Sequence, residues 1–317
     1  MKAMQKIILL LIICSQCVFA QNHKVIFDCD LGDDIDDAYA LSLLLASKEV
    51  DLLGITTAFG RTEDRAVLAC KMLYDLGLDQ KIPVFAGRNT SQTSERANWY
   101  ADQYYWSEGF KLAKAQPKSA ADFIIETLRK NPNQITLIAV GPLTNLADVL
   151  AKDPGALKLA KRIVLMFGSF YNGFDNGPTI TNEWNVRCDT PASQKIINAG
   201  LRPTCAGLDI TSFVNYNKAT REKLLSRQTP MTNMLSGLQS LWNYERDPIL
   251  FDAVAVGMVL WPDLFKTRAV NFTVDEQGFT IIHPDQPANA ELGVSINKSE
   301  FLKRLTDAFM HQNLGRN

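Results

Sequence analysis

Six aspartates crowd a short stretch near the start of the chain: Asp28, Asp30, Asp33, Asp34, Asp36 and Asp37. They follow an apolar run, Val25-Ile26-Phe27, and behind them apolar residues resume with helical spacing. That pattern predicts a buried strand, an acidic loop and a helix. Two carboxylates about 5 Å apart repel by roughly 3 kcal/mol at an effective dielectric near 20, so a packed cluster needs a neutralising partner. A divalent cation is the simplest one. The donors on offer are hard oxygens, with no His and only Cys29 nearby, so Ca²⁺ fits best, Mg²⁺ less well and Zn²⁺ poorly. A solvated acidic loop is the plain alternative. Position favours a site, because ligands of open α/β sheets bind beyond the carboxyl ends of the strands, where this loop lies. Asp36 and Asp37 also open the following helix, whose dipole tolerates negative charge.

The elements that must position this loop alternate along the chain. Strands are predicted over 52–57, 83–87, 134–140 and 162–167, and helices over 63–76, 120–130 and 145–151, the first helix closed by Gly77. Such alternation implies an α/β fold: an open, mostly parallel twisted sheet covered by helices. No linker or low-complexity break divides it, so 21–317 reads as one catalytic domain. Near the end, 272–274 and 279–282 flank Gln277-Gly278 as a small antiparallel hairpin. Ser299 is the expected cap of a last helix carrying Phe301, Leu302, Leu305 and Phe309 on one face. Two segments break the regularity and read as lids or binding loops. One is 90–110, with Trp99, Tyr100, Tyr104, Tyr105, Trp106 and Phe110, and the other is the Gly- and Asn-rich 168–178.

Composition bounds the partners. The net charge is −1 and the 33 basic residues are scattered, which excludes a nucleic-acid stripe. Lys2 and Lys6 precede an apolar run over 7–13, and Val18-Phe19-Ala20 supplies small-residue cleavage chemistry. Residues 1–20 therefore read as a signal peptide. The apolar run is too short for a transmembrane segment. The expectation is an exported protein, periplasmic or secreted, with lipidation at Cys14 or Cys17 as the alternative. Cys29, Cys70, Cys188 and Cys205 lack the spacing of a disulfide scaffold or zinc ribbon and read as free buried thiols.

Asp28-Cys29-Asp30-Leu31-Gly32-Asp33-Asp34-Ile35-Asp36-Asp37-Ala38 resembles the D-x-D-x-G-x-D-D-A signature of the inosine-uridine-preferring nucleoside hydrolases, with two extra residues before the last Asp pair. Three later segments agree with it in order. Val140-Gly141-Pro142-Leu143-Thr144-Asn145 sits at a strand-to-helix turn, where the resemblance makes the Val140 carbonyl a metal ligand. Glu183-Trp184-Asn185 resembles the family's ribose-holding pair; if it is extended, Glu183 and Asn185 share a face and Trp184 turns away. Asn172 and Asn176 compete for a further ribose contact, Asn176 being the one carried forward. Asp252, opening an apolar helix after Phe251, matches the last metal aspartate.

The resemblance implies a (ribo)nucleoside as small-molecule substrate, a homodimer or homotetramer, and hydrolysis of the N-glycosidic bond. The implied cation is held by Asp30, Asp37, the Val140 carbonyl and Asp252, and it orients a water and the ribose hydroxyls. Asp30 would take the water's proton, as calcium acidifies water only weakly. Asp36, Glu183 and Asn185 would hold hydroxyls, with Met166 completing the pocket and Asp28 and Asp34 supporting it from behind. Two departures stand out. Phe251 replaces the histidine that protonates the departing base in well-characterised members, and Arg61 stands where an asparagine is expected. Trp99 and Trp106 could replace the acid by stacking on a purine, or could simply fold against the body. Two other function classes compete. An exported riboside-binding protein would keep the site without turnover. A haloacid-dehalogenase phosphatase also opens with D-x-D but has no place for the G-P-L-T-N and E-W-N segments.

Overall fold

The computed structural model describes residues 22–91 and 99–316, so the leader expected over 1–20 lies outside the described residues. Among the described residues no helix is long and apolar enough to cross a membrane. Ten strands are present there: β1 (His23–Cys29), β2 (Val50–Thr57), β3 (Val84–Ala86), β4 (Ile135–Ala139), β5 (Arg162–Met166), β6 (Thr204–Ala206), β7 (Phe265–Val270), β8 (Phe272–Val274), β9 (Thr280–Ile282) and β10 (Ala290–Ile296). Eight form one sheet in the order β3-β2-β1-β4-β5-β6-β10-β7. Neighbours are parallel except for the antiparallel β10–β7 edge pair. β8 and β9 make the expected separate hairpin.

β1 lies between β2 and β4. The chain runs outward from β1 to β3, then returns to β4 on the other side. This reversal opens a crevice at the carboxyl ends of β1 and β4, the place where such sheets bind ligands. Val25 and Phe27 pack into the core on one face and Ile26 into the core on the other. A strand covered on both faces reads as a continuous apolar run, which is why Val25-Ile26-Phe27 shows no alternation.

Two helices next to the crevice are buried almost all round. Asp36–Ala46 is buried from Asp36 to Leu44, and Phe251–Leu260 from Asp252 onward. They pack against each other. Each fully buried leucine contributes about 2 kcal/mol relative to exposure. Burying these helices carries the aspartates in their first turns into the interior with them.

The last helix, Lys298–His311, is capped by Asn297, whose side chain accepts from the Glu300 N–H, and not by Ser299. β10 ends at Ile296, so Asn297 is the first residue free to leave extended geometry, and Ser299 already lies in the first turn. Phe301, Leu305 and Phe309 are buried as the stripe requires.

The described part of the aromatic segment folds against the body. Tyr104 is buried, and Trp99, Tyr100 and Trp106 pack partly buried on the main core. The Trp106 ring lies 3.7 Å from the Lys71 ammonium. Gln103 donates from Nε2 to the carbonyls of Gly32 (2.8 Å) and Asp34 (2.7 Å). The segment therefore clamps the acidic loop from behind.

Gly32 has φ +118°, and a Cβ there would lie 2.3 Å from a Tyr104 ring carbon. Gly32→Ala should cost on the order of 3 kcal/mol, from backbone strain plus displacement of Tyr104. Gly109→Ala, left-handed but facing open space, should cost only about 1 kcal/mol. Urea unfolding of both variants checks the difference; equal losses would mean that Tyr104 does not press on the loop.

Candidate active site

Asp28 is the last acid inside β1 and is fully buried. Its Oδ1 accepts from Thr56 Oγ1 (2.5 Å) and Asn145 Nδ2 (2.7 Å). Burial pushes its carboxyl up to about 7, with those two hydrogen bonds pulling the other way. Asn145 also donates to the Thr57 carbonyl, so the asparagine of G-P-L-T-N ties the helix after β4 to both β1 and β2. Gly141 is required by its neighbour: a Cβ there would lie 2.8 Å from Asp30 Oδ1.

The loop beyond β1 is held by a residue that sequence reasoning overlooked. Arg65 is fully buried and donates from Nε to the Phe59 carbonyl (2.8 Å) and from Nη1 to the Leu31 carbonyl (3.1 Å) and Asp33 Oδ1 (2.9 Å). It also donates to the Asp30 carbonyl. A signal was available, because Arg65 precedes Leu68, Ala69 and Met72 by three, four and seven residues and so falls on the buried stripe of its helix. An arginine there must find acceptors inside the protein.

Asp36, Asp37 and Asp252 offer carboxylate oxygens within 4.8 Å of one another, all buried. The Asp252 N–H donates to Asp36 Oδ2 (3.1 Å). Burial pushes all three carboxyls well above the ordinary range, and neighbouring negative charge adds to it: Asp34 beside Asp36, Asp30 and Asp36 beside Asp37, Asp36 and Asp37 beside Asp252. Asp37 Oδ1 is buried without a hydrogen-bond partner. Asp30 and Val140 line the same cleft. Burial raises Asp30 to about 7, against the pull of Arg65.

Glu183 and Asn185 also line the cleft, and the segment is helical, so the condition of an extended segment is not met. Glu183 caps the short helix Trp184–Cys188, its carboxylate accepting from the N–H groups of Asn185 and Val186. A third bond comes from the Gly168 N–H. These three donors lower its carboxyl while burial raises it further, to about 7. Asn185 Nδ2 donates to the carbonyls of Val140 (2.7 Å) and Met166 (3.1 Å). One amide therefore bridges the ends of β4 and β5. With the segment helical, Trp184 lines the cleft instead of facing away.

The cleft opens to solvent and encloses about 730 Å³ of empty space, the solvent at its mouth included. Asp30, Asp36, Asp37, Val140, Met166, Glu183, Asn185, Phe251 and Asp252 converge on it. Arg61 and Asn176 are not among its lining residues. Arg61 pairs with Asp64 and lies 5.1 Å from the Tyr100 ring centroid, while Asn176 Oδ1 accepts from Asn172 Nδ2. The aromatic wall is made by Phe174, Trp184, Trp242 and Phe251, not by Trp99 or Trp106. Phe174 meets Phe251 edge-on at 6.2 Å. Phe174 lies in the irregular 168–178 loop already marked for binding. Trp242 and Arg246, at and after the end of the helix Pro230–Asn243, carried no signal.

Comparison with known proteins agrees with this arrangement. A family model described as inosine-uridine preferring nucleoside hydrolase matches residues 25–303. The chain is 32% identical over 314 residues to an uncharacterized protein of Schizosaccharomyces pombe, covering 90% of this chain and 98% of that one. It is 27% identical over 310 residues to a pyrimidine-specific ribonucleoside hydrolase of Shigella sonnei, covering 89% and 95%. A solved plant nucleoside hydrolase has the same fold, with a TM-score of 0.79 at 24% identity over 92% of this chain and 99% of the other. The match takes in both acidic segments and everything between them, and this chain belongs to the inosine-uridine preferring nucleoside hydrolase family.

Proposed function

We propose that this protein hydrolyses the N-glycosidic bond of ribonucleosides, releasing free base and ribose. The observation that carries the reading is the convergence of Asp36 and Asp37 with Asp252, more than two hundred residues away, in a cleft that also has an aromatic wall. The acids suit a polyhydroxylated ring, and the flat apolar side chains in the same cleft suit a base.

The acid cluster fits a resident hard cation. Asp37 leaves a buried oxygen unpartnered, and three buried carboxylates within 4.8 Å need positive charge to ionise together. Asp30, Asp37, Asp252 and the Val140 carbonyl, with Asp36 beside them, offer oxygen only, which suits a hard cation such as Ca²⁺ or Mg²⁺ and not Zn²⁺. When bound, the cation supplies the charge that acidifies water and gathers sugar hydroxyls. Asp30, which lines the cleft beside the acid cluster, takes the attacking water's proton on a carboxylate oxygen. Glu183, Asn185 and Asp36 orient the ribose hydroxyls. Positive charge developing on the sugar ring in an oxocarbenium-like transition state faces this carboxylate wall, which favours that state over the neutral substrate. We further propose export with maturation at Gln21, and assembly as a homodimer or homotetramer.

Asp252→Asn should lower kcat on uridine or inosine at least about 100-fold and remove the thermal stabilisation by millimolar Ca²⁺. Ribose release is the readout. Turnover that survives both the substitution and a chelator would sink this assignment, and tight nucleoside binding without release would make the protein a riboside binder.

The acids also predict how stability responds to pH. Asp28 and Asp30 stand near 7 in the folded protein against an ordinary 3.8, and Glu183 near 7 against 4.5. Below about pH 4 both folded and unfolded states hold these protons. Between about pH 4 and pH 7 the unfolded chain releases protons that the folded one keeps, so the metal-free protein loses stability as pH rises. Ca²⁺ binds the ionised acids, and its stabilising effect should be larger at about pH 7.5 than at about pH 5. Thermal melts with chelator or Ca²⁺ at the two pH values check this; a Ca²⁺ shift of equal size at both would contradict it.

A further inference from the structure

Phe251, beside Asp252, has no proton to give a departing base. No His, Lys, Tyr or Cys is among the described residues that line the cleft, and the single basic one is Arg246, set among seven carboxylates. Its backbone is fixed. The Arg246 N–H donates to Asn243 Oδ1 (3.2 Å), and its carbonyl accepts from Gln239 Nε2 (3.2 Å) and Arg221 Nη2 (3.3 Å). Its guanidinium lies 5.4 Å from the ring centroid of Trp242, another wall residue. Yet it forms no ion pair with any carboxylate among the described residues, although the cleft is full of them. The Arg246 side chain is exposed at the rim, on the segment that carries the Trp242 part of the wall.

We infer that Arg246 receives the departing base by holding its negative charge, in place of a proton donor. The inference rests on the hydrolysis proposed above. As the water oxygen bonds to the anomeric carbon, the bond from that carbon to the base nitrogen breaks and its electron pair stays with the base. Asp30 takes a proton from the water. The base departs as an anion whose charge spreads from the ring nitrogen to a neighbouring carbonyl oxygen. Arg246 hydrogen-bonds to that anion with its planar fork and keeps all its own protons. The base is protonated later by solvent. The substrate class is therefore nucleosides whose base carries a ring carbonyl that can share the leaving charge.

The test compares two substrates in Arg246→Met and Arg246→Lys. Uridine has a poor leaving group that needs help. 4-Nitrophenyl riboside has an activated leaving group that needs little. Arg246→Met should lower kcat on uridine at least about 100-fold, the scale seen when one charge-stabilising donor is removed, and lower kcat on the nitrophenyl riboside far less. Arg246→Lys keeps the charge without the fork and should recover part of the uridine rate. Unchanged thermal melts would show that both variants fold. Equal losses on the two substrates, or a rise in KM with kcat intact, would overturn the role given to Arg246. Wild-type protein that releases ribose from neither compound would overturn the hydrolysis reading, and this inference with it.

Discussion

Several carboxylates that cannot all be ionised in a dry interior are forced into one cleft, and the rest of the structure answers to that constraint. Asp36, Asp37 and Asp252 are buried because the helices they open are apolar on every side. Asp28 is buried because β1 is covered on both faces. Left alone, such a group would keep its protons or swell open. Arg65 pulls against this from behind the loop, gripping backbone carbonyls and Asp33. Gln103 holds the Gly32 and Asp34 carbonyls from the other side. The loop is thus tied by hydrogen bonds on both sides, and such ordering lowers the entropic cost of binding a cation.

The floor of the cleft follows from sheet topology. β1, β4 and β5 are adjacent, so Asp30, Val140 and Met166, at or just past their ends, are neighbours despite long separations in sequence. Asn185 joins two of these ends through one amide. Gly141 leaves room for Asp30 against the adjoining turn. A helix start supplies Asp36 and Asp37, and another supplies Asp252. The acids therefore come from strand ends and helix starts, where backbone geometry is least free to vary.

The parallel sheet, the helix–strand alternation, the hairpin and the acidic loop were legible because each has a local signature: an apolar run, a helical stripe, a turn pair, a break to aspartate. The grouping of Asp252 with the first acids was legible only through resemblance, since no local pattern links residues so far apart. Other features escape the local pattern for physical reasons. Glu183-Trp184-Asn185 looks extended by spacing, but the Glu183 carboxylate finds two N–H groups ahead of it and starts a helix instead. Arg65 was passed over because a charged residue in an amphipathic helix is usually assigned to the wet face. Trp242 and Arg246 reach the cleft through tertiary packing alone, whereas the aromatic cluster at 99–110, conspicuous in composition, packs largely on the core with Tyr105 left exposed.

Phe174 and Arg246 are attached to the protein differently from the acids of the cleft. The acids hang from the sheet and from two buried helices. Phe174 and Arg246 hang from a surface loop and from the chain beyond a helix end. On the function proposed above, substitution of Phe174 would alter the face met by the ring while leaving Asp36, Asp37 and Asp252 in their buried helices.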